Sequence, residues 1–324
     1  MTDITSIGEI LIDLTQTGVN EQNVGIFAAN PGGAPANVAA AAARLGARAA
    51  FLGKVGRDSF GDALLETLRG CGVDVSGVRR GDAPTTMAVV TVSPDGERSF
   101  QFRRGADRDL APEEVDEQAL NETKFLHFGS VSLTEGLSRS ATIFAARQAR
   151  ARGALVSYDP NYRAALWQSR EQAGQWMALP LPLVDVIKLS EEELPLLTGR
   201  DDLDAGARLL ADRGVRLVLV TLGARGTFYL WKGETGRLPA VPVRVADTNG
   251  AGDTFFGAVL SRLARRKAAP LEELGRAELE EILTFANRAA AITCSRSGAI
   301  PAMPSLEEVE RFAAPPQPLG GDAL

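Results

Sequence analysis

The sequence predicts an α/β protein in which helices cover a mostly parallel sheet, with a small β-rich addition. The first observation behind this is that short apolar strand candidates alternate with helical segments through the second half of the chain. The strand candidates are Phe125–Phe128, Leu155–Tyr158, Val184–Leu189 and Leu217–Thr221, and the helical segments are Leu137–Arg152, Ser169–Met177, Glu191–Leu197 and Ala205–Arg213. Such alternation is typical of a parallel sheet wrapped by helices.

The second observation is a break in this alternation. Thr85–Val92 and Arg98–Arg104 are both β-rich, and the residues between them, Ser93-Pro94-Asp95-Gly96, are good turn formers. The pattern therefore predicts a β-hairpin inserted into an otherwise alternating chain.

The two ends of the chain fit the same α/β plan. Ile4–Leu14 predicts one first strand, and a polar loop is expected from there to Asn30. The remaining segments are a strand at Ala49–Val55 and helices at Ala36–Leu45, Ser59–Arg69, Gly252–Arg266 and Leu279–Cys294. We expect a single domain over residues 1–324, ending in a loose Pro- and Gly-rich tail at 313–324.

Composition excludes several classes of function. The 324 residues carry 35 basic and 41 acidic side chains, and a net charge of −6 argues against a broad nucleic-acid surface. The longest apolar stretch, Val38–Leu52, is broken by Arg44 and Arg48, and the N-terminus has no signal-peptide pattern, so no membrane partner is expected. Two cysteines and one histidine cannot build a Cys/His zinc site, and they suit a reducing cytoplasm.

The strongest motif is Asp247-Thr248-Asn249-Gly250-Ala251-Gly252-Asp253-Thr254-Phe255, which precedes an apolar helix. Small residues at a helix N-terminus let free N–H groups approach an anion such as a phosphate. Asp253 in the first turn is either a proton acceptor beside that anion or an ordinary acid that stabilises the helix dipole. The residues by themselves leave both interpretations open.

The motif resembles the C-terminal signature of the ribokinase-like (PfkB) carbohydrate kinases, with Asn249 where the family commonly has Thr. Gly32-Gly33-Ala34-Pro35-Ala36-Asn37-Val38-Ala39 resembles the N-terminal signature, and with Pro31 it is most similar to fructokinases. The resemblance runs from Ile4 to about Pro304. It implies a three-layer α/β/α Rossmann-like (ribokinase-like) sandwich with a small β-sheet lid, formed by segments near 14–30 and 84–107.

The same resemblance implies transfer of the γ-phosphoryl group of ATP, with Mg²⁺, to a sugar hydroxyl. Asp253 would be the base, and the amides of Gly250, Ala251 and Gly252 would form the anion hole. The sugar-binding candidates are Asp13, Gly32, Gly33, Asn37, Arg104, Asp159, Asn161 and Arg163. Some have simpler interpretations, since Asp159-Pro160-Asn161 is also good turn chemistry and Arg103-Arg104 also suits a solvated strand end. Asp13 is expected at the end of the first strand, where α/β ligand crevices form.

On the nucleotide side the resemblance implies contacts from Lys188, Thr221, Gly223, Gly226 and Asn287. Glu193 would hold Mg²⁺ through water, although Ser190 and Glu193 also form a capping-box pattern. Asp247 would contribute to a monovalent-cation site, for example for K⁺. His127 and Cys294 are interpreted as structural residues.

Several functions therefore stay open within one chemistry. Fructose is the leading substrate, followed by 2-keto-3-deoxygluconate, whose carboxylate suits the arginines, and then by ribose or inositol. A catalytically idle sugar- or nucleotide-sensing module is the alternative of another class. The chain has no Gly-x4-Gly-Lys-Ser/Thr motif and no Gly-x-Gly-x-x-Gly after its first strand, which disfavours a P-loop kinase and a dinucleotide oxidoreductase. Sugar and ATP are the expected partners, together with a second copy of the chain bound through the lid.

Overall fold

The computed structural model describes residues 1–92, 98–266 and 270–312. The predicted turn at 93–96 and the predicted tail at 313–324 lie outside these residues. The strands of the described residues are β1 Thr2–Ile7, β2 Leu11–Val19, β3 Gly25–Gly32, β4 Ala49–Gly56, β5 Val73–Asp74, β6 Val78–Gly81, β7 Met87–Val92, β8 Arg98–Arg103, β9 Thr123–Gly129, β10 Leu155–Asp159, β11 Val186–Ser190, β12 Leu217–Thr221, β13 Thr227–Trp231 and β14 Glu234–Leu238.

The helices cover both faces of the larger sheet. They are α1 Ala34–Arg44, α2 Ser59–Gly70, α3 Glu117–Asn121, α4 Leu137–Ala151, α5 Arg170–Ala178, α6 Leu194–Thr198, α7 Leu203–Asp212, α8 Ala251–Ala264, α9 Arg276–Cys294 and α10 Leu306–Arg311.

The larger sheet runs in the order β14-β13-β12-β11-β10-β9-β1-β4-β5, with β6 also paired to β4. Its pairs are parallel except where β13 pairs with β12 and β14. The predicted strand Leu217–Thr221 is confirmed residue for residue, and the other three in this half are confirmed within two residues at either end.

Alternation along the strands produces the three layers. In β12, Val218 and Val220 join a core with the helices α4, α5 and α7, whereas Leu217 and Leu219 join a second core with α1, α8 and α9. Successive side chains of a strand point to opposite faces, so an apolar run of this kind needs helices on both sides. The predicted α/β/α sandwich is therefore confirmed.

A second, four-stranded sheet has the order β3-β2-β7-β8, with β2 and β7 parallel and the outer pairs antiparallel. The expectation of one strand over Ile4–Leu14 is wrong, because the chain leaves the larger sheet at Gly8, where φ is +151°, and enters the second sheet as β2. The expected loop to Asn30 is also wrong. Its residues form β2 and β3, which pair through backbone hydrogen bonds. Their polar and exposed side chains show no apolar pattern from which these strands could be predicted.

Two further differences concern later segments. The helix expected from Glu191 begins only at Leu194, because the Glu193 carboxylate folds back to accept the Ser190 N–H at 2.7 Å. The β13–β14 hairpin has no counterpart in the expectations. No helix in the described part of the chain is long and apolar enough to cross a membrane.

Candidate active site

The candidate site lies at the carboxyl ends of β10 and β11, where α1 and α8 begin. Parallel strands end at the same edge of a sheet, and this edge is the usual ligand crevice of α/β folds. Chain segments far apart in sequence meet there, since Asn37 of α1 and Asn161, two residues beyond β10, both donate to the Asp253 carboxylate.

The first turn of α8 is built for close approach. Gly250 is the N-cap with φ +74°, and a Cβ there would lie 3.0 Å from Ala299. A Cβ on Gly252 would lie 3.0 Å from Lys188 Nζ. The Thr254 N–H already donates to the Gly250 carbonyl at 2.8 Å, but the N–H groups of Gly252 and Asp253 precede the first complete helical bond. This turn therefore offers amides and a positive dipole end to an anion.

Asp253 is buried in this turn and keeps two amide partners. Asn37 Nδ2 donates to Oδ2 at 2.8 Å, and Asn161 Nδ2 lies 3.4 Å from Oδ1. Burial raises the pKa of the Asp253 carboxyl, and nearby Glu193 adds to this, while Lys188, the Asn37 bond and Arg163 oppose it. A carboxylate oriented by amides and raised in pKa is suited to accept a proton.

The N-terminus of α1 supports Asn37. Gly33, with φ +106°, is the N-cap, and a Cβ there would lie 2.6 Å from the Glu9 carbonyl oxygen. The Asn37 N–H donates to the Gly33 carbonyl at 2.9 Å, so the side chain leaves the first turn toward Asp253. Asn37 Oδ1 is buried and has no hydrogen-bond partner among the described residues, which marks it as an acceptor available to a ligand hydroxyl.

Asp13 reaches the same space from the second sheet. It is the third residue of β2, and not the end of the first strand as expected, because the chain crosses between sheets at residues 8–10. A Cβ on Gly32 would overlap its carboxylate, so the absence of a side chain there leaves Asp13 its position. Burial raises the pKa of Asp13 to about 6, with Arg163 opposing the rise and Asp253 adding to it. The charges of Arg163 and Asp253 are therefore near enough to act on the ionisation of Asp13.

Lys188 and Asp159 form a buried ion pair beneath this space. Lys188 Nζ lies 2.7 Å from Asp159 Oδ2, and Asp159 is fully buried. Burial raises the pKa of Asp159, and the Lys188 charge opposes this rise. Contact of Asp159 with a sugar stays a prediction that this placement does not support, because Lys188 stands between Asp159 and Gly252.

Asn161 and Glu193 hold the loop after β10. Asn161 has φ +45°, a conformation that few residues other than glycine adopt and that often marks functional sites. Glu193 accepts from the Tyr162 N–H at 2.6 Å and from the Ser190 N–H. Arg163 itself is exposed, and its guanidinium donates a long hydrogen bond to the adjacent carbonyl of Tyr162 at 3.4 Å.

The nucleotide-side candidates lie around the ends of β12 and β13. Thr221 ends β12 and Gly223 follows it with φ +58°, in open space. A Cβ on Gly226 would overlap the Leu238 carbonyl, so this glycine is required by the β13–β14 hairpin. The Asn287 amide accepts from Thr227 Oγ1 at 3.0 Å and donates to the Pro239 carbonyl at 3.1 Å. Both ends of this amide already bind protein groups. A contact of Asn287 with adenine stays a prediction that this placement does not support.

Asp247 and Arg104 make their contacts outside the Asp253 cluster. The Asp247 carboxylate accepts from the N–H groups of Asn249 and Gly298, both at 3.1 Å, and so joins the loop before α8 to the loop after α9. Arg104, predicted to reach the sugar, is buried and donates to the Val131 carbonyl at 3.0 Å and to Thr134 Oγ1 at 2.7 Å. Its guanidinium also lies 2.7 Å from Asp107, so sugar contact by Arg104 stays a prediction without support from this placement.

His127, interpreted from the sequence as a structural residue, is fully buried. Its Nδ1 lies 3.2 Å from Ser157 Oγ, and its ring packs edge-on against Phe256. Burial, with the Lys188 charge adding to it, lowers its pKa to about 3, so the ring is neutral. Sequence reasoning missed Glu9, a fully buried acid whose one available signal was its place among apolar residues.

Comparison with known proteins agrees with this geometry. A family model described as pfkB family carbohydrate kinase matches residues 1–306. Fructokinase-1 of Oryza sativa subsp. japonica is 42% identical over 312 residues, which cover 94% of this chain and 96% of the rice protein. The structure of fructokinase with bound ATP from Xylella fastidiosa has a TM-score of 0.89 and 34% identity, covering 96% of this chain and 98% of that chain. A fructokinase from Vibrio cholerae O395, in fructose-, ADP- and calcium-bound form, has a TM-score of 0.83 and 32% identity, covering 96% and 99%.

The chain therefore belongs to the pfkB family of carbohydrate kinases. It is a sugar kinase of the fructokinase type, and the predicted family and enzyme class are confirmed.

Proposed function

We propose that this enzyme transfers the γ-phosphoryl group of Mg·ATP to fructose and forms fructose 6-phosphate. The observation that carries the proposal is the buried Asp253 carboxylate, held by Asn37 and Asn161 inside a helix turn that presents free amides. The rice relative and the two bacterial structural neighbours are named as fructokinases, which favours fructose over the other sugars.

The proposed chemistry needs one base and one anion site. The oxygen of the sugar hydroxyl bonds to the γ-phosphorus while Asp253 accepts the hydroxyl proton. The bond from that phosphorus to the leaving ADP oxygen breaks in the same step. The Gly252 and Asp253 amides, with the neighbouring Lys188 ammonium, stabilise charge on the transferred group. Asp13 and Asn37 orient the sugar so that the reacting hydroxyl faces Asp253.

The residues present fit a magnesium ion carried by the nucleotide. No group of three or more Asp, Glu, His or Cys side chains is arranged around a metal position within the described ranges. Mg²⁺ commonly binds through one or two carboxylates plus substrate phosphates and water. Asp159 Oδ1 is a buried oxygen that has no hydrogen-bond partner among the described residues. Glu193, and Asp159 beside it, are the carboxylates proposed to hold its water shell; the ion would neutralise phosphate charge.

The substrate proposal is tested by ADP release with Mg·ATP against fructose, 2-keto-3-deoxygluconate, ribose, tagatose, inositol and no sugar. We expect the highest kcat/KM with fructose. Turnover confined to the keto-acid would keep the mechanism and replace fructose, with Arg163 as the partner of the carboxylate. No turnover with any sugar, while ATP still binds, would contradict the proposal in favour of a sensing module.

We also propose that the second sheet covers the sugar and pairs with a second copy of the chain. The side chains of Val19, Val24, Ile26 and Phe27 are exposed on β2, β3 and their connection. Exposed apolar strands are a common protein interface. We expect Ile26→Lys combined with Phe27→Glu to convert a dimer to a monomer in sedimentation equilibrium, and a wild-type monomer at micromolar concentration would contradict the proposal.

Asp247 and carbonyls of the 294–298 loop are the proposed site of K⁺, which stimulation of turnover by KCl over choline chloride would test.

Cys71 and Cys294 are both free thiols, which suits a cytoplasmic location.

A further inference from the structure

We propose that Glu9 and the Arg104–Asp107 ion pair are positioning residues that lock the connections between the two sheets. They would set the distance from the sugar-side residues to Asp253. This inference rests on the proposed function, since it takes Asp13 and Asn37 as the sugar side of the site and Asp253 as the base.

Within the described residues, four chain crossings join the second sheet to the rest of the molecule. They lie at residues 8–10, at Gly33, at residues 84–86 and at residues 104–106. Hydrogen bonds connect the last two crossings to each other and to the start of β2: the Ala106 N–H donates to the Pro84 carbonyl at 2.9 Å, and the Ile12 N–H, just beyond the first crossing, donates to the Thr86 carbonyl at 3.1 Å. The crossings therefore form one bonded group and not four separate linkers.

Glu9 joins the first two crossings. Its Oε1 accepts from the Ala34 N–H at 3.1 Å, in the first turn of α1, and its own backbone packs against Gly33. A continuous path then runs from Glu9 through Ala34 and the Gly33–Asn37 backbone bond to the Asn37 amide on Asp253. A change at Glu9 thus moves the group that orients the base.

Thr86 and the ion pair join the other two crossings. Thr86 Oγ1 accepts from the Gly105 N–H at 2.7 Å and donates to Asp107, whose carboxylate lies 2.7 Å from the Arg104 guanidinium. Arg104 extends the group to Val131 and Thr134, beyond β9 of the larger sheet. The side chains of Arg104 and Asp107 are both buried, at 4% and 2% exposed. Each charge therefore needs the other to offset the free energy lost by leaving water.

Electrostatics supports Glu9 acting as a neutral group. Burial raises its pKa to about 8, Asp107 adds to the rise and Arg104 opposes it. Arg104 and Asp107, at and beside the crossing at residues 104–106, are the charged groups that act on Glu9. A neutral acid that accepts one backbone N–H is closely imitated by glutamine.

The test compares Glu9→Gln with Glu9→Ala. We expect Glu9→Ala to raise KM for fructose roughly tenfold, because it leaves the buried Ala34 N–H unpaired, and to change KM for ATP less than about threefold. Glu9→Gln should restore KM for fructose to within about threefold of wild type. Hydrogen exchange of the β2 and β3 amides should accelerate in Glu9→Ala and not in Glu9→Gln.

A matched control is Arg150→Met. This variant removes another ion pair, at the edge of the larger sheet where the parallel strands begin, opposite to the candidate site. Arg150 lies 3.2 Å from the buried Asp185, which directly precedes β11. We expect this variant to lose stability and keep KM for fructose. If Glu9→Ala does not fold, Thr86→Val carries the same test, since it removes the hydroxyl that joins Gly105 to Asp107.

Unchanged KM for fructose and unchanged exchange in a folded Glu9→Ala would overturn the lock. Equal impairment of Glu9→Gln and Glu9→Ala would overturn it too, because rescue by the neutral isostere is required. The exchange measurement needs no turnover, so it judges the lock even if the wild type does not phosphorylate fructose. That last result would count against the proposed function alone.

Discussion

At the scale of single residues, function depends on how each buried carboxylate is partnered. Asp253 accepts bonds from two side-chain amides, which orient it without neutralising it, whereas Asp159 is paired with the Lys188 ammonium at 2.7 Å. An amide-held carboxylate with a raised pKa remains able to accept a proton. An ion-paired one serves instead to hold its cation in place. The two acids therefore have different roles although both are buried at one sheet edge.

The role of Asp253 predicts the result of Asp253→Asn. We expect kcat to fall by roughly 10²–10⁴, because an amide keeps the shape but cannot accept a proton. KM values for fructose and ATP should stay within about threefold, measured by steady-state ADP release. The matched control is Asp116→Asn at the N-cap of α3, where asparagine caps equally well and activity should not change. A kcat within tenfold of wild type would remove Asp253 from the role of base.

The position of Asp13 predicts a different signature. Asp13→Ala should raise KM for fructose about tenfold or more, since hydrogen bonds to a charged group contribute about 1.5–3 kcal/mol. KM for ATP should be nearly unchanged. Thr17→Ala is the control on the same strand, because Thr17 bonds to Ile26 at the exposed end of the sheet. An unchanged KM for fructose would show that β2 does not contribute the sugar site.

At the scale of elements, the N-terminus of α8 works because it lacks side chains where other elements approach. Gly250 faces Ala299, and Gly252 faces Lys188 Nζ, each at 3.0 Å from a hypothetical Cβ. The close approach brings a cation, free amides and the Asp253 carboxylate into one volume. Such a concentration of charge is the principal means by which enzymes of this chemistry stabilise a transferred phosphoryl group.

This packing predicts that Gly252→Ala is more harmful than its size suggests. The added methyl displaces Lys188 Nζ or the phosphate that the turn would hold, so we expect kcat/KM for ATP to fall by roughly tenfold or more. Gly275→Ala is the matched control, since Gly275 caps α9 with φ −79° and a Cβ there meets open space. Equal activity of the two variants, measured at subsaturating ATP, would contradict the crowding argument.

At the scale of the whole molecule, the burial of acidic groups makes the free energy of unfolding depend on pH. Glu9 and Asp13 have pKa values raised to about 8 and 6, each mainly by burial. Between its unfolded and folded pKa, each group holds a proton in the native state that the unfolded chain has released. Their shared contribution to the free energy of unfolding therefore decreases as pH rises.

Glu9→Gln isolates one of these contributions. The unfolded carboxyl titrates near 4.5 and the folded one near 8, so wild type should lose stability relative to Glu9→Gln as pH rises through that window. We expect the difference in free energy of unfolding, from urea titrations at pH 5 to 8.5, to grow in favour of Glu9→Gln and then level off. Parallel curves for the two proteins would show that Glu9 ionises normally in the fold.

The amino-acid sequence by itself determined the α/β class, the helix-flanked parallel strands and the family, because apolar periodicity and the glycine-rich signatures are local patterns. It pointed to Asp253 and Asn37 through motifs, yet their 2.8 Å bond joins residues 216 positions apart. The family resemblance implied the small second sheet, but only the tertiary structure decided the bounds and pairing of its strands, since backbone pairing formed β3 from exposed residues, and the burial of Arg104 with Asp107. It also decided the ionisation of Glu9, because a pKa depends on the burial and neighbouring charges that the folded chain assembles.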